Sequence, residues 1–278
     1  MQIDLHMHSN FSDGRHAPTQ LVEMALDKGL AAISLTDHDS LEGVPEFMEA
    51  GREKGVETVP GVELSAEFDG RDLHILGYGV DPDDSAFQEM LKKFRDTRYK
   101  RGIKIVERLN ALGVSIDPAD VLAKAGKGAL GRPHIASVLV EKGIVPRVAD
   151  AFDKYIADGG PAYVPKYKMN PTEAIEHVHA AGGLAFVAHP GIFLDKVEEM
   201  DELLSRGFDG VEVFHPSHNG TVTEELQSLA ERRGLLVSGG SDFHGFNGKH
   251  MPIGAVKVPY TVWTTIQKAI ASRRGNHG

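Results

Sequence analysis

Short apolar segments alternate with longer amphipathic segments through most of this 278-residue chain. The short segments are rich in aliphatic residues and predict strands, among them Gln2–His8, Ala31–Asp37 and Leu184–His189. The longer segments repeat apolar residues at helical spacing, as in Pro18–Lys28 and Thr221–Arg233. Because strands that alternate with helices usually pair in parallel, the pattern predicts an α/β fold with a mostly parallel sheet, open or closed into a barrel.

This alternation stops over residues 81–165, where the pattern becomes almost entirely helical. Apolar residues such as Ile105 and Leu109 recur there at the spacing of one helix face. We therefore predict a helical insertion or cap over residues 81–165, set into a sheet domain that residues 1–80 and 166–278 form together.

Composition excludes several classes of function. Forty Asp and Glu against thirty Lys and Arg give a formal net charge of −10, so binding to long duplex DNA or to an anionic membrane is not expected. The absence of cysteine excludes disulfides, thiol nucleophiles and thiolate metal sites. No apolar stretch approaches the roughly 18 residues of a transmembrane helix. We predict a cytoplasmic protein, and no feature of the sequence indicates an obligate protein partner.

Histidine and carboxylate residues lie within or directly after several of the predicted strands. His6 and His8 are two apart in the first strand and share a face, so that both could chelate one ion. Glu63 is a single carboxylate in an apolar strand, which is costly without a cation beside it. The candidate site residues are His6, His8, Asp13, His38, Glu63, His74, His189, Asp242 and His244.

These residues are ligands that divalent metal ions prefer. In parallel β/α folds the functional side chains gather at the carboxyl ends of several strands. Imidazole and carboxylate without thiolate suit Zn²⁺, Mn²⁺ or Fe²⁺, and a set of this size leaves room for more than one ion. Asp37 and Asp39 flank His38 and are predicted to orient the ligand histidines by hydrogen bonds.

The order of these motifs, from His6-x-His8 to Ser241-Asp242-x-His244, resembles that of the PHP (polymerase and histidinol phosphatase) family over essentially the whole chain. The resemblance implies a distorted (β/α)₇ barrel with a three-metal site at its carboxyl-end face and a helical insertion domain. It also implies three ligand sets: His6, His8, Glu63 and Asp242 for one ion; Glu63, His74 and His189 for a second, with Glu63 bridging; and Asp13, His38 and His244 for a third.

The insertion is similar to that of the branch of the family that acts on nucleotides, through the segment Gly131-Arg132-Pro133-His134. In that branch a phosphoric monoester hydrolase removes the 3′-phosphate of nucleoside 3′,5′-bisphosphates, and this is the function we predict. Three divalent ions are expected as cofactors, Mn²⁺ before Zn²⁺ or Fe²⁺. Arg132 and His134 are predicted to bind a substrate phosphate, with Lys166 and His218 as weaker candidates; His218 could also protonate the leaving group.

Other functions of the same site remain open. A 5′-3′ exoribonuclease acting on short RNA, a 5′-mononucleotide phosphatase and a histidinol phosphatase all use a metal-assisted phosphoryl transfer. A non-catalytic metal-binding module is the more distant alternative. The predicted partners are thus a small phosphorylated nucleotide or a short RNA.

Overall fold

The computed structural model describes residues 1–126, 130–192, 197–245 and 251–275, with no account of the side chains of residues 197–199. Within these residues eight strands form a single sheet. The strands are β1 (Gln2–Asp4), β2 (Leu30–Leu35), β3 (Glu57–Phe68), β4 (Arg71–Tyr78), β5 (Leu184–Val187), β6 (Gly210–Phe214), β7 (Leu236–Gly239) and β8 (Val258–Pro259).

Helices connect most of these strands, as the alternating pattern predicts. They are α1 (Pro18–Asp27), α2 (Val44–Lys54), α3 (Ser85–Ala111), α4 (Pro118–Ala125), α5 (Arg132–Glu141), α6 (Val148–Ala151), α7 (Pro171–Ala180), α8 (Val197–Leu204), α9 (Gly220–Arg233) and α10 (Tyr260–Gly275). Several termini follow from local chemistry. Pro18 and Pro171 occupy the first turn of their helices, and Gly234 ends α9 with a left-handed backbone (φ 63°).

The sheet has the order β7-β6-β5-β4-β3-β2-β1-β8 and forms a nearly closed barrel. After β1, the Leu5 N–H donates to the Gly239 carbonyl at 3.1 Å, and the His8 N–H donates to the Phe243 carbonyl at 2.9 Å. These bonds join the segment after β1 to the end of β7 and the segment that follows it, at opposite ends of the seven-strand series. The predicted α/β barrel is therefore confirmed.

The distortion of the barrel comes from β4. This strand runs antiparallel to both β3 and β5, whereas β1-β2, β2-β3, β5-β6 and β6-β7 pair in parallel, and the short β8 adds antiparallel to β1. Asp69 and Gly70 join β3 to β4 with left-handed backbones (φ 49° and 76°), the conformation of a two-residue hairpin turn. A mostly parallel sheet is thus observed, with a hairpin that the alternating pattern does not reveal.

The chain divides into two compact units. One contains Met1–Glu89 and Lys168–Gly278, and includes the whole barrel; the other contains Met90–Tyr167 and is helical. In the barrel unit, Trp263, Ile266 and Ile270 of α10 pack into the same apolar core as residues of the strands. In the helical unit, buried residues of α3, α4 and α5 form a separate core.

Residues 81–89, which the sequence pattern assigns to the insertion, lie in the first unit. That the helical unit acts as a cap stays a prediction. No helix in the described ranges combines the length and apolar character needed to cross a membrane.

Candidate metal centre

His6 and His8 follow β1 in an extended segment, and both side chains are completely buried. Successive side chains of extended backbone alternate in direction, so the two imidazoles face the same side. Their ring centroids are 5.2 Å apart. The predicted pairing of the two histidines is therefore present, although the regular strand already ends at Asp4.

Glu63 of β3 lies at the centre of the site and is 1% exposed. Its Oε2 lies 3.3 Å from Nε2 of His6, 3.2 Å from Nε2 of His8 and 3.2 Å from Nδ1 of His38. Its Oε1 faces the other way, 2.8 Å from Nδ1 of His74 and 3.0 Å from Nε2 of His189. One carboxylate thus contacts five imidazoles from four separate segments of the chain.

Backbone pairing holds His38 beside Glu63. The Glu63 N–H donates to the Asp37 carbonyl at 3.2 Å, and the Asp39 N–H donates to the Glu63 carbonyl at 3.0 Å. His74 reaches the same place because β4 is antiparallel. The amino-terminal half of β4, which contains His74, lies at the end of the barrel where the parallel strands finish. If β4 were parallel to its neighbours, His74 would lie towards the opposite end.

Asp242 completes a first group of four ligand atoms. Its Oδ1 lies 3.4 Å from Nε2 of His6 and 3.2 Å from Nε2 of His8. Together with Glu63, these residues offer ligand atoms that all lie within 4.8 Å of one another. The group has the membership that the family resemblance implies for one ion.

A second group of ligand atoms contains Glu63 and His74, as predicted, together with His38. His189, the third predicted member, also borders it, because its Nε2 lies 3.3 Å from Nδ1 of His74. His38, which the family resemblance assigns to the third ligand set, thus also contributes to the group around Glu63 and His74.

A third group surrounds Asp13. Its Oδ1 lies 3.3 Å from Nε2 of His244, and its Oδ2 lies 3.7 Å from Nε2 of His38. His8 joins this group through Nδ1, which is 3.8 Å from Oδ1 of Asp13. The two nitrogens of His8 thus face two different groups, so that this imidazole stands between them.

The donor atoms of these groups fit divalent cations. Several are buried and have no hydrogen-bond partner within the described residues: Nε2 of His6, both ring nitrogens of His8, Oδ1 of Asp13, Nδ1 of His38 and Oε2 of Glu63. A buried polar atom without a partner is costly, and a cation at the centre of each group would satisfy it. Nitrogen and oxygen donors without sulfur suit Zn²⁺, Mn²⁺ and Fe²⁺.

The charges of the site show the same preference for cations. Burial opposes ionisation of Glu63, but the surrounding imidazoles outweigh it and lower the pKa of that carboxyl well below its usual value. Burial also opposes a charged His8, yet the adjacent carboxylates of Asp242 and Glu63 raise its pKa to about 10. His38, where burial dominates, has its pKa lowered to about 3. Without metal, protons therefore provide the positive charge that these carboxylates stabilise, and a bound cation would displace them.

Glu212 of β6 is a buried acid of the site that the sequence analysis does not identify. Its Oε1 lies 2.9 Å from Nδ1 of His6, and its Oε2 accepts a hydrogen bond from the His189 N–H at 2.7 Å. His215, at the end of the same strand, lies 3.6 Å from Asp242 through Nε2 and Oδ2. A signal was available, because Glu212, like Glu63, is a lone carboxylate within an apolar strand.

The backbone of the site is unusual at two ligand positions. His189 and Asp242 have positive φ angles of 28° and 51°, a region that residues other than glycine rarely adopt. Such conformations persist where surrounding contacts hold them, and they occur often at functional sites. The Glu212 bond to the His189 N–H is one such contact.

The prediction that Asp37 orients a ligand histidine by a hydrogen bond is wrong. Asp37 instead accepts hydrogen bonds from the N–H and hydroxyl of Ser9, at 2.8 and 2.6 Å, and from the hydroxyl of Ser12. It therefore shapes the loop that carries Asp13. Asp39 accepts from the N–H and hydroxyl of Ser65 at 2.7 and 2.9 Å, which ties it to β3.

The predicted substrate residues Arg132 and His134 lie in the helical unit. The Arg132 guanidinium pairs with Asp158, and it lies 5.7 Å from the ring centroids of both Phe152 and Tyr163. The His134 side chain accepts a hydrogen bond from the N–H of Gly131, two residues before the helix proline. Lys166 is half-buried in the segment after these helices.

His218, the last predicted substrate residue, lies in the barrel unit, where its ring centroid is 5.4 Å from that of His215. Its Nδ1 lies 2.8 Å from the Val213 carbonyl, and its Nε2 accepts a hydrogen bond from the Gly191 N–H at 3.0 Å. Burial lowers its pKa. Proton donation by His218 would therefore require breaking one of these backbone bonds. Its predicted role, like those of Arg132, His134 and Lys166, stays a prediction.

Comparison with known proteins places these features in context. The family model described as the PHP domain matches residues 4–142. The chain is 34% identical over 251 residues to a 5′-3′ exoribonuclease of Haemophilus influenzae, an alignment that covers 87% of this chain and 90% of the relative. It is also 34% identical over 256 residues to a 3′,5′-nucleoside bisphosphate phosphatase of Chromobacterium violaceum, covering 87% of each.

Solved structures show the same likeness. The crystal structure of a candidate metal-dependent phosphoesterase from Bifidobacterium adolescentis matches with a TM-score of 0.86 at 33% identity. The match covers 96% of this chain and 95% of that structure.

Proposed function

This chain belongs to the PHP domain family, and from that premise we propose that it is a metal-dependent phosphoesterase that removes the 3′-phosphate of nucleoside 3′,5′-bisphosphates. The observation that carries the proposal is the convergence of five imidazoles, from four segments of the chain, on the two oxygens of Glu63. The phosphatase of Chromobacterium violaceum, at 34% identity, supports the choice of substrate.

We assign three divalent ions to the site, with Mn²⁺ as the first choice and Zn²⁺ and Fe²⁺ as alternatives that the donor atoms also suit. The proposed ligands are His6, His8, Glu63 and Asp242 for the first ion, Glu63, His74 and His189 for the second, and Asp13, His38 and His244 for the third. When bound, such ions polarise the phosphoryl oxygens and lower the pKa of water, and thereby supply the attacking group.

The protein's own contribution is to hold these groups in place. Glu63 presents one oxygen to each of two ligand groups and thereby sets the distance between them. Glu212 fixes the ring orientation of His6, so that Nε2 faces Glu63 and Asp242. Positioning and electrostatic stabilisation account for most of the catalysis in phosphoryl transfer, which suits a site without a protein nucleophile.

The substrate contacts are part of the proposal. A planar guanidinium such as that of Arg132 can bind two phosphate oxygens at once, and its contacts with Asp158 and two aromatic rings restrict its movement. His134, Lys166 and His218 are proposed as further hydrogen-bond donors to the phosphate or the leaving group. Arg132 in particular is expected to affect substrate capture.

A second candidate function is the stepwise hydrolysis of short RNA from its 5′ end. The observation that favours it is the exoribonuclease of Haemophilus influenzae, which is as similar to this chain as the bisphosphate phosphatase is. The two functions differ in the bond that is cleaved, a phosphomonoester in one and a phosphodiester in the other.

A substrate panel separates these functions. Purified protein loaded with Mn²⁺ would be assayed against adenosine 3′,5′-bisphosphate, AMP, histidinol phosphate and a short 5′-phosphorylated RNA, and then again with Zn²⁺ and Fe²⁺. The fastest phosphate release from the bisphosphate would support the main proposal. Faster nucleotide release from the RNA would support the second candidate. Inactivity with every ion and substrate would refute both and favour a non-catalytic metal-binding module.

A further inference from the structure

The negative net charge of the protein is distributed very unevenly between the two units. The segment Met90–Tyr167 contains fifteen Lys and Arg against eight Asp and Glu, a formal charge of +7. The remaining residues contain fifteen Lys and Arg against thirty-two Asp and Glu, a formal charge of −17. A basic unit within an acidic protein indicates a surface that attracts anions, although the total charge of −10 conceals it.

Part of this positive charge forms a row along α3. Lys93, Lys100, Lys104 and Arg108 are seven, four and four positions apart, so that they lie on one face of the helix. All four side chains are exposed. The row, which we call the basic row, extends over about 22 Å at a rise of 1.5 Å per residue.

The core of the helical unit determines which face of α3 is exposed. Ile105, Val106 and Leu109 are at most 1% exposed and belong to the apolar core of that unit. The basic row occupies a different side of the same helix, and a rotation of α3 that buried it would expose this core. The position of the row is therefore a consequence of packing.

Two lysines of the basic row have no acidic partner within the described part of the chain. Among the residues that the structure describes, Lys100 and Lys104 form no ion pair, although Asp96 and Glu107 lie nearby along the helix. Two other lysines of the same unit are paired, Lys124 with Glu141 and Lys142 with Asp120.

The two terminal residues of the basic row contact tyrosines, one through its aromatic ring and the other through its backbone carbonyl. Nζ of Lys93 lies 5.3 Å from the ring centroid of Tyr167, and the Arg108 guanidinium donates to the carbonyl of Tyr163. Cations beside an aromatic ring are a combination that recurs in proteins that bind single-stranded nucleic acids, where bases stack on the ring.

We propose that the basic row binds the sugar–phosphate backbone of single-stranded RNA. The choice of RNA among polyanions rests on the second candidate of the proposed function, the hydrolysis of short RNA. The geometry suits a strand, because the row is one residue wide and offers up to four cations in sequence. It suits an anionic membrane poorly, because Asp96 and Glu107 flank the row and would repel a flat negative surface.

The test compares two double variants that remove the same amount of charge. Lys100→Gln/Lys104→Gln alters the basic row, and Lys124→Gln/Lys142→Gln alters two paired lysines of the same unit as the matched control. Binding of a fluorescein-labelled 12-nucleotide RNA with phosphorothioate linkages, which resist hydrolysis, would be followed by fluorescence anisotropy at several salt concentrations. Thermal unfolding would check that both variants remain folded.

The expected result is quantitative. Four phosphate contacts predict a slope of about −2.8 for log K against log salt, since each contact with a single strand contributes about −0.7. The row variant loses two of these contacts, so its slope should be about −1.4. If the wild type and the row variant bind equally at 1 M salt, the variant should therefore bind about 25-fold more weakly than the wild type at 0.1 M salt. The control variant should stay within about twofold of the wild type, because its lysines are not part of the row. Hydrolysis of adenosine 3′,5′-bisphosphate should be unchanged in both variants.

Several outcomes would overturn the inference: equal weakening in the two variants, unchanged binding in the row variant, or a loss of binding confined to duplex RNA or to phosphatidylserine vesicles. The proposed function fails separately. If no substrate is hydrolysed but RNA binding still depends on the basic row, only the phosphoesterase proposal is refuted. If hydrolysis persists and the row variant binds RNA normally, only the basic-row inference is refuted.

Discussion

Replacing Glu212 by glutamine tests whether this buried carboxylate positions the metal-ligand candidates. Its two oxygens serve His6 Nδ1 at 2.9 Å and the His189 N–H at 2.7 Å. An amide of nearly the same shape has only one oxygen. If that oxygen stays on the His189 N–H, the amide NH₂ faces His6 Nδ1, which must then accept. The proton moves to Nε2, and His6 can no longer bind a cation through that atom.

The opposite orientation of the amide is no better, because its NH₂ would then face the His189 N–H. That contact would leave two donors opposed and release a backbone that has a positive φ of 28°. Loss of such an indirect contact costs typically 10- to 100-fold in metal affinity. This corresponds to about 1.4 to 2.8 kcal/mol. We therefore expect the Glu212→Gln variant to bind Mn²⁺ or Zn²⁺ about 10- to 100-fold more weakly than the wild type.

Asp209 supplies a matched control, because it holds a similar pair of groups away from the ligand cluster. Its Oδ2 lies 2.7 Å from Nε2 of His179 and accepts from the Ala185 N–H at 2.8 Å, and its Oδ1 pairs with Arg273. Asp209→Asn should lower the thermal unfolding temperature without changing metal affinity.

Both variants would be equilibrated with buffered metal and analysed by elemental mass spectrometry, with thermal unfolding measured alongside. Wild-type metal affinity in the Glu212 variant would refute the positioning role. An equal loss of affinity in the Asp209 variant would show that the effect is only a general loss of stability.

The other predictions concern ligands, protons and packing. His74→Ala should reduce bound metal and hydrolysis together, whereas Arg132→Ala should retain its metal and raise KM; an unchanged KM would contradict a phosphate contact. Burial opposes a charged His6, but neighbouring carboxylates outweigh it and raise its pKa well above the usual value, which favours the protonated imidazole over the neutral form that binds a cation. Metal affinity should therefore increase with pH, and calorimetry in two buffers of different ionisation enthalpy should detect proton release; the absence of release would count against the proposed ligand. A Cβ at Gly240 would collide with the backbone nitrogen of His6, so Gly240→Ala should lower the free energy of unfolding by about 1–3 kcal/mol. Gly220→Ala is the control, because a Cβ at Gly220 has open space around it. Both variants would be measured by denaturant unfolding, and equal stabilities of the two would show that the collision at Gly240 is relieved.

Much of the fold could be predicted because periodicity is a local property of the chain. A helix or strand leaves its spacing of apolar residues in the sequence, and proline and glycine mark several ends, as at Pro18 and Gly234. The direction of β4 could not be predicted in this way, because a strand has the same alternation in either direction. The turn at Asp69 and Gly70 decides it, and with it the place of His74.

The ligand candidates were recognisable for a similar reason. Histidine at the end of an apolar segment is unusual enough to stand out, and His6, His38 and His189 all do so. Glu212 and His6 are 206 positions apart, and only closure of the barrel brings them together. The basic row was missed because its four cations are dispersed over sixteen residues of sequence and meet only on the surface of α3.

The amino-acid sequence by itself determined which segments become strands and helices and which side chains are available to bind a cation, because both depend on short-range pattern and residue chemistry. The tertiary structure decided which of these side chains lie close enough to share an ion, which buried carboxylate contacts them and which face of α3 is charged. Those outcomes depend on distances across the barrel and on the packing of the helix, and no local pattern records them.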